Sequence, residues 1–430
     1  VIETFFPTDR VARSLTLSTI AFALSSGVFY TVSALYFTRV IGLDATTVGL
    51  GLGIAGGAGV LASYGAGRLS DRVGAHRVQS WSTGLNGVAM LAYALAADAV
   101  SFTLIACFAV AMRSATGTSK QAMLARWYTG ADRVSVRARM RVVTNVFIGL
   151  GTVVAAAALV VGTAAAYQVA MLSVGVLLLV ATIPLVRLPR LVPELAARMV
   201  TAPTAHDADG VAARGRSPWK DRTYVASVTL NAVVAMHFSL QTIGVPLWVA
   251  TTDAPTAMVS ALLVLNTVVV ASLQVRASRG THDVRRAGIA VRRGSWLLAA
   301  ACVGYALAGY GDLVTACCLL LAAGFAHSIG EILGEAGGWG MAFELADPQS
   351  AGAYQGLSQT GYAVASMVAP ALVTATAIQH GTPGWIALAA MFVAAGTGAA
   401  LVARRAAERT AVSPDVSGAE VSVPAVTLTP

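Results

Sequence analysis

Apolar runs of roughly 20 residues, the length at which an α-helix crosses about 30 Å of hydrocarbon, recur along almost the whole of this 430-residue chain. Twelve can be delimited, at about 14–40, 46–66, 78–97, 101–124, 142–162, 166–186, 223–249, 257–275, 294–311, 313–334, 353–377 and 383–403. Only helices fit these runs. In lipid the backbone must satisfy its own hydrogen bonds, and no segment alternates polar and apolar residues as a membrane barrel strand does. Composition agrees. With 56% hydrophobic and 11% charged residues and a mean hydropathy of +0.71, the chain has too little polar surface to coat a soluble globule, in which about a quarter of the residues are charged.

The cations give the runs a direction. With the N-terminus inside, 26 of the 29 Lys and Arg fall in cytoplasmic segments, as expected where such loops are enriched in positive charge. The exceptions are Arg39, Arg113 and Lys120. Loops on the other side carry isolated acids such as Asp98, Asp253 and Asp312. The net charge of +9 therefore has a topological origin, and no nucleic-acid partner is implied, because the cations are spread over many short loops with no soluble fold beside them. The opening VIETFFPTDR is polar and the first apolar run exceeds a signal h-region, so the first span is expected to be retained. Cys107, Cys302, Cys317 and Cys318 all lie in apolar runs and read as small buried residues, with no disulfide.

The runs divide into two sets of six. An N-terminal half at 1–186 is followed by a linker at 187–222, which holds Pro189, Pro193, Pro203 and Pro218 with alternating charges. This is a flexible cytoplasmic segment by composition, with one short amphipathic helix expected at 191–200. A C-terminal half at 223–403 leads to a tail at 404–430 that reads as disordered. A weak internal repeat supports the division: LARWYTGADRVSVRARMR precedes the fifth run as FELADPQSAGAYQG precedes the eleventh. Secondary transporters are commonly built from repeats with the substrate near the midplane.

Ionisable residues inside spans are costly, so each is a candidate for function. Arg113 lies near the middle of the fourth run, where a fixed positive charge can bind an anionic group. Lys120 is close enough to the cytoplasmic end to snorkel. In AHSIGEILGEAGGWG, His327, Glu331 and Glu335 stand at i, i+4 and i+8 on one helical face. This stripe is the best candidate for handling protons, with Glu335 expected nearer the membrane interface. The same spacing can hold a metal, but no HExxH, Cys pair or second acidic helix completes a site, so none is assigned. His237 with Gln241, and Tyr30, Asn145 and Asn266, are weaker candidates to line a cavity. Trp219, Trp339 and Trp385 lie near span ends and fit interfacial anchoring.

Between the second and third runs stands GAGRLSDRVGAHR, with Gly67, Asp71, Arg72, Gly74 and Arg77. Glycines let such a turn come close to a neighbouring helix, and Asp71 can cap a helix start or pair with a cation. This loop resembles the loop 2–3 signature of the major facilitator superfamily, and Arg113 with Gly117 resembles that family's RxxxG element, with Thr116 where Gln is common. RARMRVVTNVFIGLG, with Asn145, Gly149 and Gly151, resembles the opening of its fifth span, although the Gly-Pro pair of the antiporter branch is missing and Ala75 and His76 follow Gly74.

The resemblance implies an all-α membrane protein of twelve transmembrane helices in two pseudo-symmetric six-helix bundles. It implies a monomer in the bacterial cytoplasmic membrane, multi-pass with both termini cytoplasmic, whose partners are a small-molecule substrate, protons and the lipid bilayer. Family members use the loop's Asp and Arg residues as a conformational latch in the outward-facing state and carry a Glu at the place of Glu331. The function expected is secondary active transport by alternating access, as a drug:proton antiporter-like exporter of a drug or secondary metabolite. Proton-linked or passive uptake of a nutrient is the alternative, and a non-transporting receptor or assembly protein is the alternative of another class. No cofactor is implied, and no nucleophile, metal or phosphate-binding pattern supports an enzyme.

Overall fold

The computed structural model describes residues 2–200 and 216–412. Among the described residues twelve long helices carry the chain back and forth, and there is no strand. The first six are α1 (Arg10–Leu35), α2 (Ala45–Val73), α3 (Ala75–Ala92), α4 (Ala99–Trp127), α5 (Gly130–Val161) and α6 (Ala164–Leu191). The second six are α7 (Arg222–Val249), α8 (Ala257–Ala277), α9 (Val284–Ala308), α10 (Leu313–Glu344), α11 (Ala351–Val373) and α12 (Thr382–Val412). Ten of them are long and apolar enough to cross a membrane.

The isolated acids between helices have a structural use. Asp9, Asp44, Asp98, Asp221, Asp283 and Asp312 each accept a backbone N–H in the first turn of α1, α2, α4, α7, α9 and α10, satisfying a donor that has no partner inside the helix. Hydrogen bonds hold three of these carboxyls below the usual carboxylate range: the Thr47 hydroxyl then amide at Asp44, the Ser101 amide then hydroxyl at Asp98, and the Thr315 hydroxyl then amide at Asp312.

Burial forms two main apolar cores. One draws on residues between Val28 and Leu178, the other on residues between Val234 and Ala403. A third, at the end of the bundle where most cations lie (the basic end), combines Val11, Leu15, Met140 and Leu185 with Trp339 and Phe343, so both groups of helices share it. Lipid supplies no hydrophobic drive between helices, and close backbone approach takes its place. A Cβ on Gly27 would strike the Ile148 carbonyl of α5, so α1 and α5 touch backbone to backbone.

Several expectations shift. Helix α5 begins at Gly130, twelve residues before the expected start, so the arginines from Arg133 to Arg141 belong to its first turns and not to a loop. Helix α12 continues to Val412, so 404–412 is helical where a disordered tail was expected; 413–430 lies outside the described residues. In the linker, Leu195–Met199 is a short helix whose Leu195 and Met199 are buried, within the expected 191–200, while 201–215 is outside the described residues. Trp339 and Trp385 are buried in the bundle, at 5% and 0% exposure, whereas Trp219 is exposed as an interfacial residue would be. Of the cysteines only Cys302 is buried; Cys318 is exposed, and all four are free thiols.

Helix α7 is interrupted. Its turns loosen after Ala235, restart at His237–Ser239 and widen to a π-turn over Leu240–Gly244, with Pro246 just beyond. A second π-turn, Tyr36–Val40, continues α1, and a third, Thr374–Ile378, continues α11. Such widened turns are common where a helix serves a functional site.

Candidate functional site

At the basic end, the turn between α2 and α3 meets the start of α11. Gly67 lies so close to α11 that a Cβ there would run into the Gly352 carbonyl. One turn on, Asp71 Oδ1 accepts from Arg126 Nη2 of α4 and from the Gly352 amide, both at 2.7 Å, and Oδ2 accepts from the Ala353 amide at 2.7 Å. Asp71 thus caps the first turn of a helix in the other group while pairing with a cation of its own, both favourable for an anion at a helix N-terminus. Gly74, at φ +98°, ends α2 in a conformation that residues with a Cβ rarely adopt. Arg72 and Arg77 point outward and are exposed; the cation that Asp71 meets is Arg126.

A second seam runs between α5 and α10, which are antiparallel and belong to different groups. Arg133, Arg137 and Arg141 recur every four residues along one face of α5. Arg133 Nη1 donates to the Phe343 carbonyl at 3.3 Å and to Glu344 Oε1 at 3.4 Å. The Arg137 guanidinium lies over the Trp339 ring at 4.5 Å and acts electrostatically on Glu335. Arg141 Nη2 donates to Glu331 Oε1 at 2.8 Å and stacks over the Phe238 ring of α7 at 5.0 Å. Glu331, only 1% exposed, accepts a second bond from Asn266 Nδ2 of α8 at 2.8 Å.

One turn before Glu331, His327 Nε2 lies 3.3 Å from His237 Nδ1 of α7, and its Nδ1 lies 3.5 Å from the Tyr305 hydroxyl. The ligand atoms of His237, His327 and Glu331 fall within 4.8 Å of one another, so α7 brings up the third group that the stripe on α10 lacks by sequence alone. Both Glu331 oxygens are engaged by Arg141 and Asn266, which makes the carboxylate half of an ion pair and not a vacant metal ligand. Glu335 is 5% exposed and accepts from the Tyr362 hydroxyl at 2.9 Å, so it belongs to the interior rather than to the membrane interface.

Two further charges of the interior, Arg113 and Lys120, lie on α4. Arg113 sits at the middle of that helix, donates to the Tyr30 hydroxyl and to Ser26 Oγ, and faces the Phe22 ring at 5.3 Å. With Lys120 it lines a cavity of about 160 Å³. Lys120 therefore points inward where snorkelling to the basic end was expected. Across the seam, Gln359 Oε1 of α11 lies 3.8 Å from where a Cβ on Gly117 would stand.

The family model of the major facilitator superfamily matches residues 15–370. The chain belongs to the major facilitator superfamily. Solved superfamily-like structures share its fold at low identity. The human organic anion transporter MFSD10 (TETRAN) is 16% identical with a TM-score of 0.64, covering 91% of this chain and 99% of its own. A bacterial homologue of the iron transporter ferroportin, in an outward-facing state, is 14% identical with a TM-score of 0.70, covering 93% and 100%. The same homologue with soaked iron gives 14% and 0.69 over 92% and 99%. No curated protein matches the chain.

Within this superfamily member the residues singled out by sequence fall into three places. Gly67 and Asp71 meet α11. His327, Glu331, His237 and Asn266 form one buried cluster, while Arg113 is half-buried and bonded to the exposed Tyr30. Asn145 is half-buried one turn beyond Arg141 on α5, and Gln241 lies in the π-turn of α7. Gly151 approaches α1, while a Cβ on Gly149 would meet open space. Arg126, Arg137 and Arg141 were overlooked. For Arg137 and Arg141 the four-residue spacing from Arg133 to Asn145 is the signal, hidden because the hydropathy of this stretch reads as a loop; Arg126, at the end of α4, carries no such pattern.

Proposed function

We propose that this superfamily member is a secondary active transporter that works by alternating access, and that it exports a small organic molecule against proton entry in the manner of the drug:proton antiporter-like branch. The two moving parts are the halves at 1–186 and 223–403, joined by the linker at 187–222. The basic end is cytoplasmic in this reading, and the arrangement with that end latched is the outward-facing one.

The observation that carries the reading is the Arg141–Glu331 pair, 2.8 Å long, whose partners come from opposite halves, with the carboxylate almost wholly buried. Opening the basic end pulls the guanidinium away. A carboxylate left in a low-dielectric interior without its cation is neutralised by a proton instead. Proton binding at Glu331 and separation of the halves therefore favour each other, and this linkage is what a coupled carrier requires. His327 and His237, adjoining Glu331, give the proton a path, because imidazole both donates and accepts near neutral pH. The Asp71 latch supplies the second contact that separation must break.

The test is intravesicular pH in proteoliposomes, with a panel of organic compounds supplied outside. Substrate-dependent proton movement that Glu331→Gln abolishes is expected. Flux of a compound with no proton signal in either protein would leave a facilitator and return Glu331 to structure alone.

A further inference from the structure

The interior beside α4 holds more positive charge than the surrounding side chains balance. Arg113 and Lys120 are seven residues apart, two turns that bring both to one face of α4, and both line the cavity of about 160 Å³, the room of roughly five water molecules. Among the described residues, Arg113 is hydrogen-bonded only to the neutral oxygens of Tyr30 and Ser26. Lys120 makes no ion pair among the described residues; the interior carboxylates are engaged elsewhere, Glu331 by Arg141 and Asn266, and Glu335 by Tyr362. The charged neighbour that shares its cavity, Arg113, is of like sign. An ammonium half-shielded from water with no counter-charge beside it is poorly compensated. Two such cations facing one cavity are a standing demand for an anion.

The rest of the wall fits that demand. Ser18 and Thr19 of α1, Gln79 of α3 and Thr116 of α4 turn hydrogen-bonding groups to the same space. The planar guanidinium of Arg113 suits a carboxylate bidentately, and the compact ammonium of Lys120 suits a second charge as a point contact. Phe22, under the Arg113 guanidinium, offers an apolar face to a short carbon chain.

The geometry points to an organic anion as the substrate class: we infer that Arg113 and Lys120 seat the two carboxylates of a small dicarboxylate or a compound of that chemistry. This deepens the transport reading and rests on it. Cationic and neutral molecules of the same size are disfavoured, the first by repulsion from both groups and the second by leaving the two cations uncompensated.

The experiment is calorimetric titration of the full-length protein in lipid nanodiscs with adipate, with adipamide as the uncharged isostere and with 1,6-diaminohexane as the cation of equal length. Adipate is expected to bind, the other two are not, and Arg113→Gln and Lys120→Gln are each expected to weaken adipate binding at least tenfold while Arg113→Lys retains part of it. Spin labels across the basic end confirm that each variant keeps the parent fold. Absence of adipate binding, equal binding to Lys120→Gln, or binding of adipamide or the diamine as tight as that of adipate would each overturn the anion seat. The transport reading fails by a different sign, a basic end whose label distances in the parent protein never change with a pH gradient.

Discussion

Replacing Asp71 with Asn removes the charge of the proposed latch while keeping its shape. Asp71 accepts three hydrogen bonds of 2.7 Å, two of them from the first amides of α11, and its side chain and that of Arg126 are only 14% and 8% exposed, so solvent screening is slight. Asn offers one acceptor oxygen in place of two and presents an NH2 to a backbone amide or guanidinium, so at least one charge-assisted bond is lost. That loss, with the weakened helix-terminus interaction, amounts to about 2–4 kcal/mol against the latched arrangement. With the halves apart both versions of the side chain are hydrated, so the difference falls almost wholly on the latched state. At 1.4 kcal/mol per tenfold, the latched fraction relative to the unlatched one drops by roughly thirty- to several-hundred-fold. The assay is electron–electron distance measurement between spin labels at Arg77 and Arg285, both exposed at the basic end, after the four native cysteines are replaced. Asp71→Asn should move the distribution to longer distances and Arg126→Gln should do so less. A folded Asp71→Asn protein with the parent's distances refutes the argument.

Further consequences follow from the same contacts. Gly67→Val places two methyl groups against the Gly352 backbone and should disfavour the latched arrangement by about 1–3 kcal/mol, which cross-linking yield between α2 and α11 measures; a yield equal to the parent's contradicts it. Arg141→Gln leaves Glu331 buried without its cation and should cost about 3–5 kcal/mol of stability, whereas the Arg141→Gln/Glu331→Gln pair should recover most of it, so thermal melts in which the double variant is no better than the single one would count against the pair. At the opposite end of the bundle, Asp44, Asp98 and Asp312 have carboxyls held below the usual range by their caps. A depressed carboxyl stabilises above its ordinary titration range and loses that contribution as pH falls through its folded value. The first turns of α2, α4 and α10 should therefore fray on acidification, seen as lost hydrogen-exchange protection at Thr47, Ser101 and Thr315 after correction for intrinsic rate. Asp98→Asn, which keeps a side-chain acceptor without the charge, should blunt that pH dependence at Ser101.

The apolar runs overlap all twelve long helices, although only ten are long and apolar enough to qualify as spans, α3 and α9 being the exceptions, and several basic-end boundaries were misplaced. Helix α5 shows why. Its first turns carry Arg133, Arg137, Arg139 and Arg141, which lower the apolarity of any window that contains them, although Arg137 and Arg141 face a neighbouring helix and not water. Lys120 was misread for the same reason: a lysine near a span end snorkels by default, and only its neighbours reveal that it turns inward. Conversely, Trp385 looked interfacial by position along the chain, yet α7 and α9 enclose it through contacts with Trp248 and Tyr305.

The chain by itself determined that this is a bundle of membrane-spanning helices and that Asp71, Arg113 and Glu331 are charges in unusual places. Each of these is a local property, set by apolar length and by the cost of charge in lipid. The tertiary structure alone decided the partnerships: Asp71 with Arg126 and the start of α11, Glu331 with Arg141 and Asn266, His237 with His327, and, among the described residues, the lack of an ion pair at Lys120. Those pairings join residues as many as 282 positions apart. Long charged side chains reach across a seam whose register is set by the packing of glycine and alanine surfaces, which look alike all along this sequence.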